Sequence, residues 1–225
     1  MITTPLCDLL EIDHPIVQGP MGPWNTVDLA AAVSAAGGLG LVGTTLRSIR
    51  ALREDVWLLR ELTDAPFAID LSDAPVGEAL LCAALDLRPR AVVLGADHLP
   101  SLAARARAAG VVVLHHATSA RHAVLAADAG TGVIACAPAL VAQVADAVAP
   151  VPVVAAGGIR DGRELASALT LGAQGVCVGK AFLAAPESGL PGAWADSAAE
   201  IVHAIARDAE RALGEELSRR SALAG

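Results

Sequence analysis

The feature that most constrains the fold of this chain is a short apolar run that recurs eight times. Each run is rich in Val, Ala or Leu, as expected for a strand buried on both faces of a parallel sheet. Glycine, proline or a polar residue marks most run ends, which indicates a turn after each strand. The predicted strands are residues 15–21, 39–44, 66–71, 91–95, 111–116, 132–136, 151–156 and 175–178.

A helix-length segment follows each predicted strand. These segments are residues 26–36, 48–62, 76–87, 100–109, 119–129, 139–148, 163–171 and 197–219. Eight strand–helix units favour a (β/α)8 TIM barrel with short loops, because a doubly wound sheet reaches this length with fewer and longer units. The chain has 225 residues without a linker or low-complexity segment, so we expect residues 1–225 to form a single α/β domain.

Composition limits the partners and the cellular location that we expect for this chain. Hydrophobic residues make up 54% of the chain, but the most apolar stretch, residues 139–159, contains Gln143, Asp146 and two prolines. We therefore expect no membrane span, and the N-terminus lacks a signal-like apolar core, which favours a cytoplasmic location. The net charge is −8, and without a basic run nucleic acid is not an expected partner.

The cysteines do not indicate a metal site. Cys7, Cys82, Cys136 and Cys177 are scattered along the chain without a paired spacing. We expect them to be small core residues, and we predict no metal ion.

The ends of the seventh and eighth predicted strands carry the strongest functional signal. Residues 151–162 and 175–182 each contain a Val-rich run that ends at glycine. Glycine leaves backbone N–H groups uncovered, and TIM barrels often hold a phosphate after these two strands. We therefore predict an anion site at Gly157, Gly158, Gly179 and Lys180, although a glycine turn also serves simple packing. For Lys180, a Schiff-base nucleophile and a solvated lysine remain alternatives.

Catalytic groups of such barrels lie at the carboxyl ends of strands. His115 and His116 are adjacent on a strand, so at most one points into the mouth, where an imidazole can act as an acid or base. Four roles remain open for Asp70: it is a base, it orients a histidine, it binds a ribityl or substrate hydroxyl, or it caps the turn at residues 72–73. The same rule also selects Gln18, Asp97, His98 and Arg160, with a helix cap as the alternative for Asp97 and His98.

Four segments together resemble the nitronate monooxygenase family, formerly called 2-nitropropane dioxygenases, to which flavin-type enoyl-ACP reductases are related. They are residues 15–21, 29–40, 155–163 and 171–182, and the resemblance covers most of residues 5–188 in the same order. It implies an FMN-binding (β/α)8 barrel with oxidoreductase activity. By the resemblance, the flavin would contact the turn Gly19, Pro20, Met21 and Gly22, and its phosphate would contact Gly157, Gly158, Gly179 and Lys180.

The sequence departs from the family pattern at three positions. Lys180 stands where the family usually has Thr, which adds positive charge for a phosphate. Asp70 replaces the usual Asn beside the flavin, and a carboxylate there would disfavour a reduced, anionic flavin. The Gly-Gly-His loop after strand six, which holds the usual catalytic base, is missing, because residues 132–138 run directly into the next helix. His115 or His116 would then have to provide the base.

Three hypotheses follow, of which we favour the first. The chain is an FMN-dependent oxidoreductase with a trimmed active site and a small-molecule substrate. Alternatively, it is a flavin-free barrel that acts as an isomerase, lyase or cyclase on an anionic small molecule. The third hypothesis is a non-catalytic scaffold subunit. The apolar helix at residues 79–87 also predicts a homo-oligomer.

Overall fold

A ring of eight parallel strands forms the centre of the computed structural model, which describes residues 1–44, 48–72, 78–95, 101–193 and 196–223. The strand order is β1-β8-β7-β6-β5-β4-β3-β2, and Leu39 closes the ring by bonding to the backbone of Ile16 and Gln18 at 2.9 Å each. The predicted (β/α)8 barrel is thus confirmed. The strands are β1 (Ile16–Gln18), β2 (Gly40–Gly43), β3 (Phe67–Asp70), β4 (Ala91–Leu94), β5 (Val112–Ala117), β6 (Val133–Cys136), β7 (Val153–Ala156) and β8 (Gly175–Val178).

Helices surround this ring. Thr26, Ser119 and Asp161 cap three of these helices, because each side chain accepts a hydrogen bond from the backbone N–H three residues later, which satisfies one free donor of the first turn. None of the described helices is both long and apolar enough to cross a membrane. The helices are α1 (Pro5–Leu10), α2 (Val27–Ala35), α3 (Ile49–Leu62), α4 (Glu78–Asp86), α5 (Ser101–Ala108), α6 (Ala120–Asp128), α7 (Val141–Val148), α8 (Gly162–Thr170) and α9 (Ala198–Leu223).

The short helix α1, which the sequence interpretation missed, fills the amino-terminal end of the barrel. Leu6 and Leu10 are fully buried in the cluster that holds the inward-facing strand residues. A Cβ atom at Gly175 would lie 2.4 Å from Leu6 Cδ2, so this glycine makes room for the helix. Arg90 fastens the other side, since its Nε donates to the carbonyl of Leu9 at 2.9 Å.

The side chain of Gln18 continues the pairing between β1 and β2 above Leu39. Its Oε1 accepts a hydrogen bond from Leu41 N at 3.1 Å, and its Nε2 donates to Leu41 O at 3.4 Å. Nε2 also lies 3.3 Å from Oδ1 of the buried Asn25. The amide thus takes the place of a peptide group at the seam where the two strands separate.

Candidate active site at the barrel mouth

A cavity of about 890 Å³ opens at the carboxyl ends of the strands. Its floor consists of aliphatic side chains from five strands: Val17, Leu41, Val93, Leu114 and Ala135. Polar groups and glycines form the rim above this floor. An apolar base under a few convergent polar groups is typical of a small-molecule site, and this end of a barrel is where such sites occur.

Two consecutive glycines at the end of β7 form one side of the rim. Gly157 and Gly158 have φ angles of +101° and +78°, which L side chains rarely adopt. A Cβ atom at either residue would meet no other atom within 4 Å, so the backbone faces open space. Among the described residues, the N–H groups of Gly158 and Gly179 donate to no backbone oxygen. These groups form a cradle that suits an anion.

Lys180 lies on the same side of the mouth, directly after Gly179, and its side chain is exposed. No carboxylate of the described part of the chain forms an ion pair with its ammonium group. Arg160 also lines the cavity, but its Nη2 is 2.9 Å from Oε1 of Glu164, and this hydrogen bond raises the pKa of the arginine. Lys180 is therefore the better candidate to contact an anion.

The turn after β1 forms the part of the rim next to Gly179, because β1 pairs with β8. Gly19, Pro20 and Met21 line the cavity, and a Cβ atom at Gly19 would lie 3.0 Å from the Sγ of Cys177. A side chain at Gly19 would therefore push into the wall of the cavity. Gly22, with φ +59°, begins a 3-10 turn at Gly22–Trp24 and is not among the lining residues.

His115 and His116 occupy opposite faces of β5. His116 is exposed and shares the inner face of the strand with Leu114, which belongs to the barrel floor. His115 is 1% exposed, and its ring lies 4.9 Å from the ring of His122 on α6. His116 is thus the histidine on the side of the cavity, and the imidazole of His115 packs between strand and helix.

The hydrogen bonds of His115 define its protonation state. Its Nδ1 lies 2.8 Å from the carbonyl of Leu94, and its Nε2 lies 3.0 Å from Nε2 of His122. Since a carbonyl only accepts, Nδ1 of His115 carries the proton, and Nε2 accepts from His122. The N–H of Thr118 donates to Nδ1 of His122 at 3.3 Å, which leaves Nε2 of His122 as the donor to His115. Burial is the main reason that the pKa of His115 lies below its ordinary value.

Asp70 is buried at the end of β3, where its Oδ1 accepts from the backbone N–H of Ser72 at 2.9 Å and from its hydroxyl at 2.6 Å. This is the turn interaction that was one of the sequence interpretations. Burial, together with the negative charge of Asp70, raises the pKa of Cys177 to about 12. The two side chains therefore act on each other electrostatically within the barrel.

After β6 the chain turns directly into the Pro138–Leu140 3-10 turn and α7. Residues 137–140 contain no histidine, so this part of the mouth offers no base. Cys136, the last residue of β6, is fully buried, and burial raises the pKa of its thiol to about 11.

Two site residues were missed, and two predicted residues cannot be placed. Asp97 and His98 lie outside the described residues. Asn25 and His122 take part in the networks around Gln18 and His115, but neither stands at the end of a predicted strand. The i, i+7 spacing of His115 and His122 across a strand–helix turn was the available signal for their contact. Among the described residues, no group of three or more His, Cys, Asp or Glu side chains could hold a metal ion.

Comparisons with known proteins identify relatives of this chain. The profile of the family described as nitronate monooxygenase matches residues 3–79 and 135–202. A nitronate monooxygenase from Pseudomonas aeruginosa is 31% identical, and the match covers 84% of this chain and 71% of that protein. FabK from Thermotoga maritima has a similar structure, with a TM-score of 0.79 and 33% identity over 83% of this chain and 64% of that chain.

A further relative is named (3aS,4S,5R,7aS)-5-hydroxy-7a-methyl-1-oxo-octahydro-1H-indene-4-carboxyl-CoA dehydrogenase, from Rhodococcus jostii. It is 36% identical over 84% of this chain, but the match covers 58% of that protein. This chain therefore spans less than three fifths of the length of that relative. The family profile leaves out residues 80–134, and His116 lies within this unmatched segment.

Proposed function

The chain belongs to the nitronate monooxygenase family, and on that premise we propose that it is a flavin-dependent oxidoreductase that binds FMN at the barrel mouth. The glycine cradle formed by the N–H groups of Gly158 and Gly179, beside the exposed side chain of Lys180, is the observation that carries this proposal. The aliphatic floor also suits a flat aromatic ring, because it exposes few polar atoms. FMN, when bound, would supply the electron acceptor of the reaction.

The rim residues would hold the flavin by its two ends. The N–H groups of Gly158 and Gly179 would donate to the phosphate, and Lys180 would offset its negative charge. The turn at Gly19, Pro20 and Met21 would support the ring, since its backbone has no bulky side chain at the first position. The residues present therefore fit the group that the family resemblance implies.

We propose that His116 is the base of this site. It is exposed at the mouth, and the segment that carries the family's usual histidine is absent here. An imidazole can remove a proton from a carbon next to a nitro or carbonyl group near neutral pH. His115 does not suit this role, because both of its nitrogens are engaged by Leu94 and His122. We propose a positioning role for His115 and for Asp70, whose Oδ1 is held by Ser72.

Two substrate classes merit direct comparison. Alkyl nitronates are the substrates that the family name implies, whereas the relative from Rhodococcus jostii is named for a carboxyl-CoA thioester. A carboxyl-CoA thioester and a nitroalkane, which is the conjugate acid of a nitronate, each offer an acidic carbon from which a base can take a proton, whereas the nitronate itself has already lost that proton. The purified, flavin-loaded protein would be assayed with both under identical conditions.

An FMN titration tests the proposed function. The wild type should bind FMN with a change in its visible absorption spectrum, and Lys180→Ala should bind it at least about tenfold more weakly. Arg163→Ala, at an exposed position of α8 outside the cavity, is the matched control and should leave affinity unchanged. Protein that takes up no FMN would contradict the proposal.

The same titration distinguishes the flavin-free alternative. Suppose that the wild type binds inorganic phosphate, that Lys180→Ala binds it more weakly, and that the protein takes up no FMN. An isomerase, lyase or cyclase acting on a phosphorylated substrate then becomes the better proposal. The exposed Lys180 supports this second candidate as well, because its ammonium suits any phosphate ester.

A further inference from the structure

Helix α3 exposes an apolar surface on the outside of the barrel. Leu52, Val56 and Leu59 are buried on its inner face, whereas Trp57 is 62% exposed. Leu58 and Leu62 are also exposed on this helix, at 46% and 58%. Trp is the residue type that most often anchors protein–protein contacts, because its large ring gives much burial for little lost side-chain entropy.

On α3, charged residues of opposite sign stand at equal distances before and after Trp57. Three residues before it stands Glu54, and three residues after it stands Arg60. At four residues the pair is Arg53 and Glu61. These distances correspond to the same exposed helix face, since three and four residues are close to one turn.

We propose that α3 forms the contact of a two-fold symmetric homodimer in which two copies of the helix cross antiparallel at Trp57. In such a contact, the residue that follows Trp57 by a given number faces the residue that precedes it by the same number in the partner. Each of the two charge pairs then meets its opposite. A parallel crossing would instead bring like charges together, so the charges select the antiparallel arrangement.

The pair Arg53 and Glu61 determines the orientation most directly. Neither side chain has a hydrogen-bond or ion-pair partner within the described parts of the chain. By contrast, Arg50 already bonds to Glu54 at 2.8 Å, and the guanidinium of Arg60 stacks 4.7 Å from the ring centroid of Phe67. Since exposed ion pairs add little affinity, Trp57 supplies the binding energy and the charges supply the register.

Sedimentation velocity over a range of protein concentrations tests the role of Trp57. The wild type should form dimers, and Trp57→Ala should weaken self-association by about tenfold or more. Leu125→Ala is the matched control, because Leu125 is 60% exposed on the distant helix α6. It should associate as the wild type does. A wild type that stays monomeric at all concentrations, or equal effects of both variants, would overturn the proposal.

A charge exchange tests the antiparallel register independently of folding. Arg53→Glu alone sets two acidic residues opposite each other, and Glu61→Arg alone sets two basic residues opposite each other, so each should weaken the dimer. The double variant Arg53→Glu with Glu61→Arg restores opposite charges and should recover wild-type association. If the double variant is as weak as the single variants, the two residues do not face each other, and the antiparallel register is wrong.

Discussion

His115 and His116 are neighbours in the chain, but β5 directs one imidazole towards α6 and the other to the side of the cavity. Leu94 and His122 engage both ring nitrogens of His115 at 2.8 and 3.0 Å. His116 is exposed on the inner face of the strand. His115 therefore supports the mouth, whereas His116 is the neighbour that we propose to contact ligands.

We expect alanine substitutions at these two positions to have opposite profiles. His115→Ala should lower the free energy of unfolding by about 1–3 kcal/mol, because it leaves the Leu94 carbonyl and the His122 ring without partners. His116→Ala should change it by no more than about 0.5 kcal/mol but lower the turnover of the flavin-loaded protein about 100-fold or more. Urea denaturation and steady-state kinetics measure the two effects. Equal losses of stability would contradict the assigned orientations.

Stability should fall in mild acid. Burial lowers the pKa of His115 and of His14 below 6.5, so the unfolded chain takes up these protons at a higher pH than the folded chain. The contribution of these two histidines to the free energy of unfolding is fully present above about pH 6.5, and it is lost as the pH falls through 6.5 towards their pKa values in the folded state. His115→Asn keeps an N–H for Leu94 and does not titrate, so its stability should vary less between pH 7.5 and 5.5 in urea denaturation. A slope equal to that of the wild type would refute this origin.

Gly158 and Gly110 form a matched pair of positions for a test of the glycine cradle, with Gly110 as the control outside it. Their φ angles are +78° and +75°, and a Cβ atom at either would meet no neighbour within 4 Å. Gly158→Ala and Gly110→Ala should therefore each cost about 1–2 kcal/mol of stability through backbone strain. We expect only Gly158→Ala to weaken FMN binding, as measured by titration. Equal FMN affinities in the two variants would remove Gly158 from the site.

Gln18→Leu should open the seam between β1 and β2. It removes both hydrogen bonds to Leu41 and leaves buried backbone groups without partners, which should cost about 1–3 kcal/mol in the free energy of unfolding. Gln143→Leu, at an exposed position of α7, is the control and should change stability by less than about 0.5 kcal/mol. A small effect of Gln18→Leu would indicate that Leu39 alone holds the two strands together.

The sequence predicted the barrel because each strand carries its own local signal, a Val-rich run with a turn at its end. α1 lacked such a signal, since its six residues become a helix that matters only when Leu6 and Leu10 meet the barrel interior. Alternation along β5 predicted that the two histidines diverge. Which one faces the cavity depends on the register with β4 and β6, where Leu94 pairs with His115 and Ala135 with His116, and this long-range pairing is not encoded in the strand itself.

The role of Gln18 shows the same limit from another side. Its position at a strand end predicted a functional side chain, but its partners Leu41 and Asn25 are set by the gap between the first two strands. Such a gap is a property of the closed ring and has no counterpart in a single segment of sequence.

Helix α1, which closes the amino-terminal end of the barrel, has a kinetic consequence. With Leu6 and Leu10 filling that end, the described residues leave the strand-end mouth as the route into the interior. If the chain is the flavin-dependent oxidoreductase proposed above, its electron donor and electron acceptor would enter by this same opening, and the product of the first would leave before the second binds. Parallel double-reciprocal plots of the steady-state rate would indicate this alternating binding.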